Sequence, residues 1–208
     1  MLQNLIDNNR QWSEQRRRHD ASFFQRLSKQ QKPKYLWIGC SDSRVPANEV
    51  VGLQPGELFV HRNIANIVVH SDLNALSVLQ YAVEVLKVEH VIVCGHYQCG
   101  GAQAAMQNSQ FGLMDNWLRN IKDVYHRYEE TLESITDEQL KLNRFCEFNV
   151  MQQVENICHT SIVQNAWQQN HPLSVHGVIY NLEEGLLADL GVSIANSGQV
   201  KNIYRIAC

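Results

Sequence analysis

Two short stretches carry side chains that can hold a metal. The first, Tyr35-Leu36-Trp37-Ile38-Gly39-Cys40-Ser41-Asp42-Ser43-Arg44, is an apolar run ending in a cysteine, then a polar turn with an acid and a base. The second, Val91-Ile92-Val93-Cys94-Gly95-His96-Tyr97-Gln98-Cys99-Gly100-Gly101, is another apolar run, and it ends in His-x-x-Cys. Cys40, His96 and Cys99 together offer two thiolates and one imidazole, donors that zinc takes. His-x-x-Cys alone is a weak signal. Its weight comes from its place between an apolar strand and a Gly-Gly turn, matched by the place of Cys40. Three protein ligands leave a fourth position open, the catalytic rather than the structural pattern. Water at that position becomes more acidic. Thiolates donate more charge than imidazoles, so activity is expected to rise from neutral to alkaline pH.

Asp42 and Arg44 extend this chemistry. As a carboxylate, Asp42 can ligate the metal and shut out water. Arg44 can pair with it bidentately and draw it away, leaving it to orient the metal's water. Without a metal beside it, the same pair is an ordinary loop ion pair. Cys94, Cys146 and Cys158 read as core residues, because a cysteine in an apolar strand or helix is usually a small hydrophobe. Cys208 reads as incidental.

The elements that position these turns follow from the pattern of the chain. Its 208 residues are 44% apolar and 19% charged, which suits one domain with a substantial core. The net charge is 18 − 21 = −3, with no basic footprint for nucleic acid. Arg16-Arg17-Arg18 lies beside Glu14 and Asp20 and reads as a solvated helix face. No run approaches the ~20 apolar residues of a membrane span. The first residues lack a basic head and an apolar stretch, so a reducing cytoplasm is the expected location.

Residues 1–30 read as a helical arm in two segments. Leu2, Leu5, Ile6 and Trp12 form a stripe too short to bury alone, so the arm is expected to pack on the body or a partner subunit. Strands are predicted at 35–40, 58–62, 90–95 and 173–180. Helices are predicted at 72–87, from Gly100-Gly101, and over 114–130. A long helix opens at Thr136 through a capping box with Gln139 and is expected to run to about 169. Its expected core positions are Leu140, Phe145, Phe148, Val154, Ile157, Ile162 and Trp167. The tail, 186–208, stays unassigned between strand and helix. The alternation gives a single α/β domain over 1–208 with a mostly parallel central sheet flanked by helices. Both candidate turns then lie at the carboxyl edge of that sheet, where functional residues gather.

Cys40-Ser41-Asp42-Ser43-Arg44 with His96-Tyr97-Gln98-Cys99-Gly100-Gly101 resembles the paired signature of the β-class carbonic anhydrases. The similarity extends over Gly56-Glu57-Leu58-Phe59-Val60-His61-Arg62-Asn63, Ile64-Ala65-Asn66 and His176-Gly177. Gln98 departs from the small residue common in that motif and is expected to alter packing, not metal binding. The resemblance implies reversible hydration of carbon dioxide to bicarbonate and a proton by zinc-bound hydroxide. It implies one zinc on Cys40, His96 and Cys99, with Asp42 and Arg44 as the dyad. It also implies a dimer or tetramer whose amino-terminal helices embrace the partner. Gln31, Ile64, Tyr81 and Gly100 would contact substrate, with Gln31 reaching a neighbouring site. Trp37, Arg62 and Tyr180 match the trio with which a bacterial and algal subset binds a second, inhibitory bicarbonate.

Two rivals remain at this level. Relatives of similar shape hydrolyse carbon disulfide or carbonyl sulfide. A zinc-stabilised redox sensor would use Cys40 and Cys99 as switchable thiols, but it has no need of an open metal position or of the Asp42–Arg44 dyad. Nucleotide-binding loops and H-E-x-x-H are absent from the sequence.

Overall fold

A computed structural model describes residues 1–29, 32–42 and 44–207. Among them five strands form one sheet in the order β2-β1-β3-β4-β5: β1 Tyr35–Cys40, β2 Leu58–Asn63, β3 His90–His96, β4 Ser174–Asn181 and β5 Leu186–Ile194. The first four are mutually parallel, and β5 is antiparallel to β4. The tail that the sequence left unassigned therefore begins as an edge strand. From β1 the chain steps to one side to make β2, then returns across β1 to make β3. The carboxyl ends of β1 and β3 thus flank a topological switch point, where open α/β sheets bind ligands.

The helices are α1 Leu2–His19, α2 Phe23–Lys29, α3 Ala47–Val50, α4 Leu73–Gln80, α5 Gly100–Met106, α6 Met114–Arg127, α7 Glu129–Glu133, α8 Glu138–Cys158 and α9 Ser161–Gln168. One sheet face is dry. Leu36, Ile38, Val91, Val93 and Val175 pack there against Leu79, Val83, Val150, Val154, Ile157 and Trp167 from α4, its continuation, α8 and α9. Each such aliphatic side chain contributes about 1.5–3 kcal/mol by leaving water. Glycines let α8 seat closely. A Cβ on Gly95 would lie 2.5 Å from Val150 Cγ2, and one on Gly177 3.1 Å from Val150 Cγ1.

Several boundaries differ from the sequence reading. The long helix starts one residue later, with Asp137 as its N-cap accepting from the Leu140 N–H at 2.9 Å. A charged carboxylate is the stronger acceptor and displaces Thr136 from that role. It also stops at Cys158, because Thr160 turns the chain and caps α9 through the Val163 N–H. Leu140, expected in the core, is 58% exposed, since it falls on the helix face opposite the buried Leu142, Phe145 and Cys146. Asp72 caps α4, and that helix passes into a π-helical turn over Tyr81–Val85.

The arm behaves as its stripe implied. Neither α1 nor α2 buries a residue within the chain, and Leu2, Leu5, Ile6 and Trp12 remain exposed. Among the described residues, no helix is long and apolar enough to cross a membrane.

Candidate metal centre

Strand β1 delivers Cys40 at its last residue, and β3 runs on to deliver His96 at its own. The turn after β3 uses Gln98 in the left-handed region, φ 57°, to bring Cys99 round as the N-cap of α5. All three side chains are buried, and their ligand atoms lie within 4.8 Å of one another. The two sulfurs are 4.0 Å apart.

The imidazole is oriented for ligation. His96 Nδ1 donates to the Tyr97 carbonyl at 2.9 Å, which leaves Nε2 as the lone-pair nitrogen. That Nε2 is buried and has no hydrogen-bond partner among the described residues. A buried polar atom without a partner is costly, and a metal would satisfy it. Hydrogen bonds shape the thiols as well. Cys40 Sγ accepts from the backbone N–H groups of Asp42 and Ala65, each at 3.4 Å. With the Cys99 thiol donating to it, the Cys40 thiol is drawn well below its ordinary range, burial opposing. Cys99 is pushed far above the ordinary thiol range by the bond it gives Cys40 and by its burial. Two buried sulfurs, one already inclined to be a thiolate, and one unpaired imidazole nitrogen fit zinc.

Asp42 stands at the mouth of this cluster, its Oδ2 3.9 Å from His96 Nε2. Arg44 grips it with a fork, Nε to Oδ1 at 3.0 Å and Nη2 to Oδ2 at 2.8 Å. That grip holds the Asp42 carboxyl below its usual range. The described structure therefore has Asp42 on arginine.

A small cleft on the open sheet face joins Trp37, Arg62, Cys94 and Tyr180 to Cys40, Asp42 and His96. Arg62 donates to the Cys40 carbonyl at 2.6 Å. Gly39 makes room for the pair, since a Cβ there would lie 2.8 Å from the Trp37 indole nitrogen and 3.6 Å from the Arg62 guanidinium. Cys94 lines this cleft, yet burial pushes its thiol up to about 12, as it does for Cys146 and Cys158. All three sit inside, as their sequence context implied.

The remaining substrate candidates are less gathered. Ile64 follows β2 beside Gly101, where a Cβ would come within 3.0 Å of its Cγ2, and its carbonyl accepts from Trp117 Nε1 at 2.9 Å. Gly100 is exposed at the start of α5. Tyr81 lies half-exposed against Phe59, ring centres 5.9 Å apart, and does not border the Cys40 cleft within the chain. Gln31 lies outside the described residues.

Some contributors escaped the sequence reading. Tyr97, between the ligands, bonds Glu147 on α8 at 2.8 Å, and Gln98 bonds Glu183 at 2.7 Å. Ala65 and Asn66 take left-handed backbone at φ 61° and 50°. Asn149 and Gln153, both buried, were hidden among the apolar positions of α8. Their i, i+4 spacing inside an otherwise apolar stripe was the available signal.

Comparison with known proteins decides the family. The carbonic anhydrase family model matches residues 35–187. This chain belongs to the β-class carbonic anhydrases. It is 45% identical over 203 residues to a carbonic anhydrase of Emericella nidulans, covering 97% of this chain and 89% of that one. A tetrameric β-carbonic anhydrase of Sordaria macrospora superposes with a TM-score of 0.89 at 38% identity, over 93% of this chain and 98% of that one. A Coccomyxa β-carbonic anhydrase, solved with acetazolamide, superposes with a TM-score of 0.90 at 36% identity, over 95% and 90%. Membership makes the chain a lyase with zinc as its cofactor, and the Cys-His-Cys group is where the fold can hold one ion.

Proposed function

We propose that this chain hydrates carbon dioxide reversibly to bicarbonate and a proton, with Cys40, His96 and Cys99 as the zinc ligands and Asp42 and Arg44 as the gate. The observation that carries the reading is the unpaired, buried His96 Nε2, facing two sulfurs and 3.9 Å from Asp42 Oδ2. Zinc, when bound, supplies a Lewis acid that makes a water at its open position acidic near neutral pH.

The protein's own groups divide the remaining work. Cys40 and Cys99 would hold the metal as thiolates, each giving up its proton to do so. The Tyr97 carbonyl keeps His96 in the ligating tautomer. Asp42 Oδ2 accepts a hydrogen bond from the reacting water and so orients it, while Arg44 keeps the carboxylate off the metal. If Asp42 leaves Arg44, it can occupy the metal's open position and stop turnover. Trp37, Arg62 and Tyr180 form the second anion site. Bicarbonate there would draw on Arg62, which also holds the Cys40 carbonyl, and so bias the gate towards closure. Ile64 and Gly100 are assigned to substrate contact. Gln31 and Tyr81 are assigned to a site completed by a second subunit. The unburied arm and the tetrameric Sordaria relative support a homo-oligomer. Zinc binding needs Cys40 and Cys99 reduced, which suits the cytoplasm.

The test is stopped-flow carbon dioxide hydration at pH 7 and pH 9, with zinc measured on the same sample. About one zinc per chain and a rate that climbs steeply with pH would support both the metal and the gate. Zinc without hydration at either pH would redirect the reading to carbon disulfide or carbonyl sulfide. No zinc in carefully prepared protein would remove its foundation.

A further inference from the structure

The turn that follows β2 is held in an unfavourable shape. Ala65 has φ 61° and ψ 30°, and Asn66 has φ 50°, both in the left-handed region that L-residues other than glycine enter at a cost. Neither is near solvent, Ala65 being 0% exposed and Asn66 2%. The shape has a consequence: it points the Ala65 N–H at Cys40 Sγ, 3.4 Å away. Something must stabilise it.

A polar ladder on α8 does so. Asn149 Nδ2 donates to the Ala65 carbonyl at 2.9 Å. Asn149 Oδ1 accepts from Gln153 Nε2 at 2.9 Å, and Gln153 Oε1 accepts from the Val68 N–H at 2.8 Å. Asn156 completes the ladder by donating to the Val68 carbonyl at 2.9 Å. The helix thus grips the turn at both ends, Ala65 and Val68. Asn63 adds a second brace, exchanging two bonds of 2.7 Å with the backbone of Ile67. Asn149 and Gln153 are 3% and 1% exposed, amid Phe145, Val150, Val154 and Ile157. Buried amides give no apolar stabilisation there, and each must be fully bonded to be tolerated. Their reach depends on the close seat of α8, which Gly95 permits.

We propose that Asn149 is a positioning residue for Cys40, acting through the left-handed turn at Ala65. This rests on the zinc reading above. Together with the bond from the Asp42 N–H, this N–H···S bond holds Cys40 Sγ beside the ligand atoms of His96 and Cys99. Without the Asn149 donor, the Ala65 carbonyl would be buried and unpaired. The turn would then relax towards ordinary backbone, and its N–H would leave the sulfur.

The test combines amide hydrogen exchange with zinc affinity by chelator competition, on full-length wild type, Asn149→Ala and Asn149→Asp. Ionised, the aspartate keeps the shape and the acceptor for Gln153 but has no donor for Ala65, whereas protonated it would regain one, so the comparison is run at alkaline pH. The expected result is Ala65 exchange faster by at least about tenfold in both variants, in metal-free and zinc-loaded protein alike, with β3 and α9 amides unchanged. Zinc should bind about 10- to 100-fold more weakly, the range for lost outer-shell partners. Adding Ala65→Gly to Asn149→Ala should recover part of that affinity, since glycine adopts positive φ freely. Unchanged Ala65 exchange and zinc affinity in a folded variant would overturn the proposal. So would wild-type Ala65 exchanging as fast as exposed loop amides, a result that needs no variant. A wild type that takes up no zinc would sink the metal reading separately, while metal-free Ala65 exchange would still decide whether Asn149 grips the turn.

Discussion

The two faces of the sheet are built for different ends. On the α8 face, Leu36, Val91, Val93 and Val175 are fully buried against aliphatic side chains, and glycines at 95 and 177 remove the last clearance. On the opposite face Tyr35, Arg62, His90, His176 and Tyr180 are only partly covered, and Val60 is 40% exposed. Polar contacts run across this second face: His90 Nδ1 meets His176 Nε2 at 3.1 Å, and His176 Nδ1 meets Ser193 Oγ at 2.8 Å. The metal cluster sits where the two faces meet, at the carboxyl ends of β1 and β3. One face supplies a rigid reference frame. The other presents polar groups and partly exposed surface.

That contrast can be broken at the centre first. Cys99→Ser should abolish zinc binding and reduce carbon dioxide hydration to the uncatalysed rate, read by metal analysis and stopped flow. Next comes the gate. Asp42→Asn should keep zinc but lose about 10²–10⁴-fold in rate, the usual worth of a positioned proton acceptor. A rate loss accompanied by zinc loss would mean that Asp42 shapes the metal site rather than the water.

The dry face should answer in stability rather than activity per folded molecule. Ile157→Ala removes a fully buried side chain and should cost about 2–5 kcal/mol in chemical denaturation. The open face should do the reverse. Tyr180→Phe should shift stability by less than about 0.5 kcal/mol. Inhibition by bicarbonate should weaken by about two- to tenfold, the worth of one hydrogen bond. Equal stability losses on both faces would erase the distinction.

The smallest expected effect is a pH slope. Burial lowers the pKa of His61, His159 and His176, so each takes a proton less readily when folded than when unfolded. The unfolded chain then binds more protons below about pH 6.5. The histidines' share of stability should rise with pH up to that point and level off above it, read as the difference between wild type and His176→Asn in denaturant titrations at pH 5.5 and 7.5. His176→Asn should flatten part of the slope.

Much of the site was legible because it is local. Cys40 and His96 each end an apolar run, so strand geometry alone puts both at a sheet edge. Asp42 and Arg44 are two residues apart, close enough to pair in any turn. Most of the missed features depend on distant segments. Tyr81 lies against Phe59 within the chain, so its place in a pocket turns on a second subunit that the sequence pattern does not position. Thr136 fits a capping box, but Asp137 captures the cap, since charge outweighs pattern. Asn149 looks like one more polar residue on a long helix until α8 is seated against Ala65.

By itself the sequence determined the donor set, the parallel α/β class and the acid–base pair beside the cysteine. Those depend on residue type, periodicity and short spacing, which any fold must respect. Tertiary structure decided that β1 lies between β2 and β3, so that Cys40 and His96 flank one crevice. It also decided that Trp37, Arg62 and Tyr180 share a cleft, and that a helix more than eighty residues along the chain braces the turn above Cys40. These pairings join residues far apart in sequence. Only the packing of α8 through Gly95, and the order of the strands, bring their atoms within bonding distance.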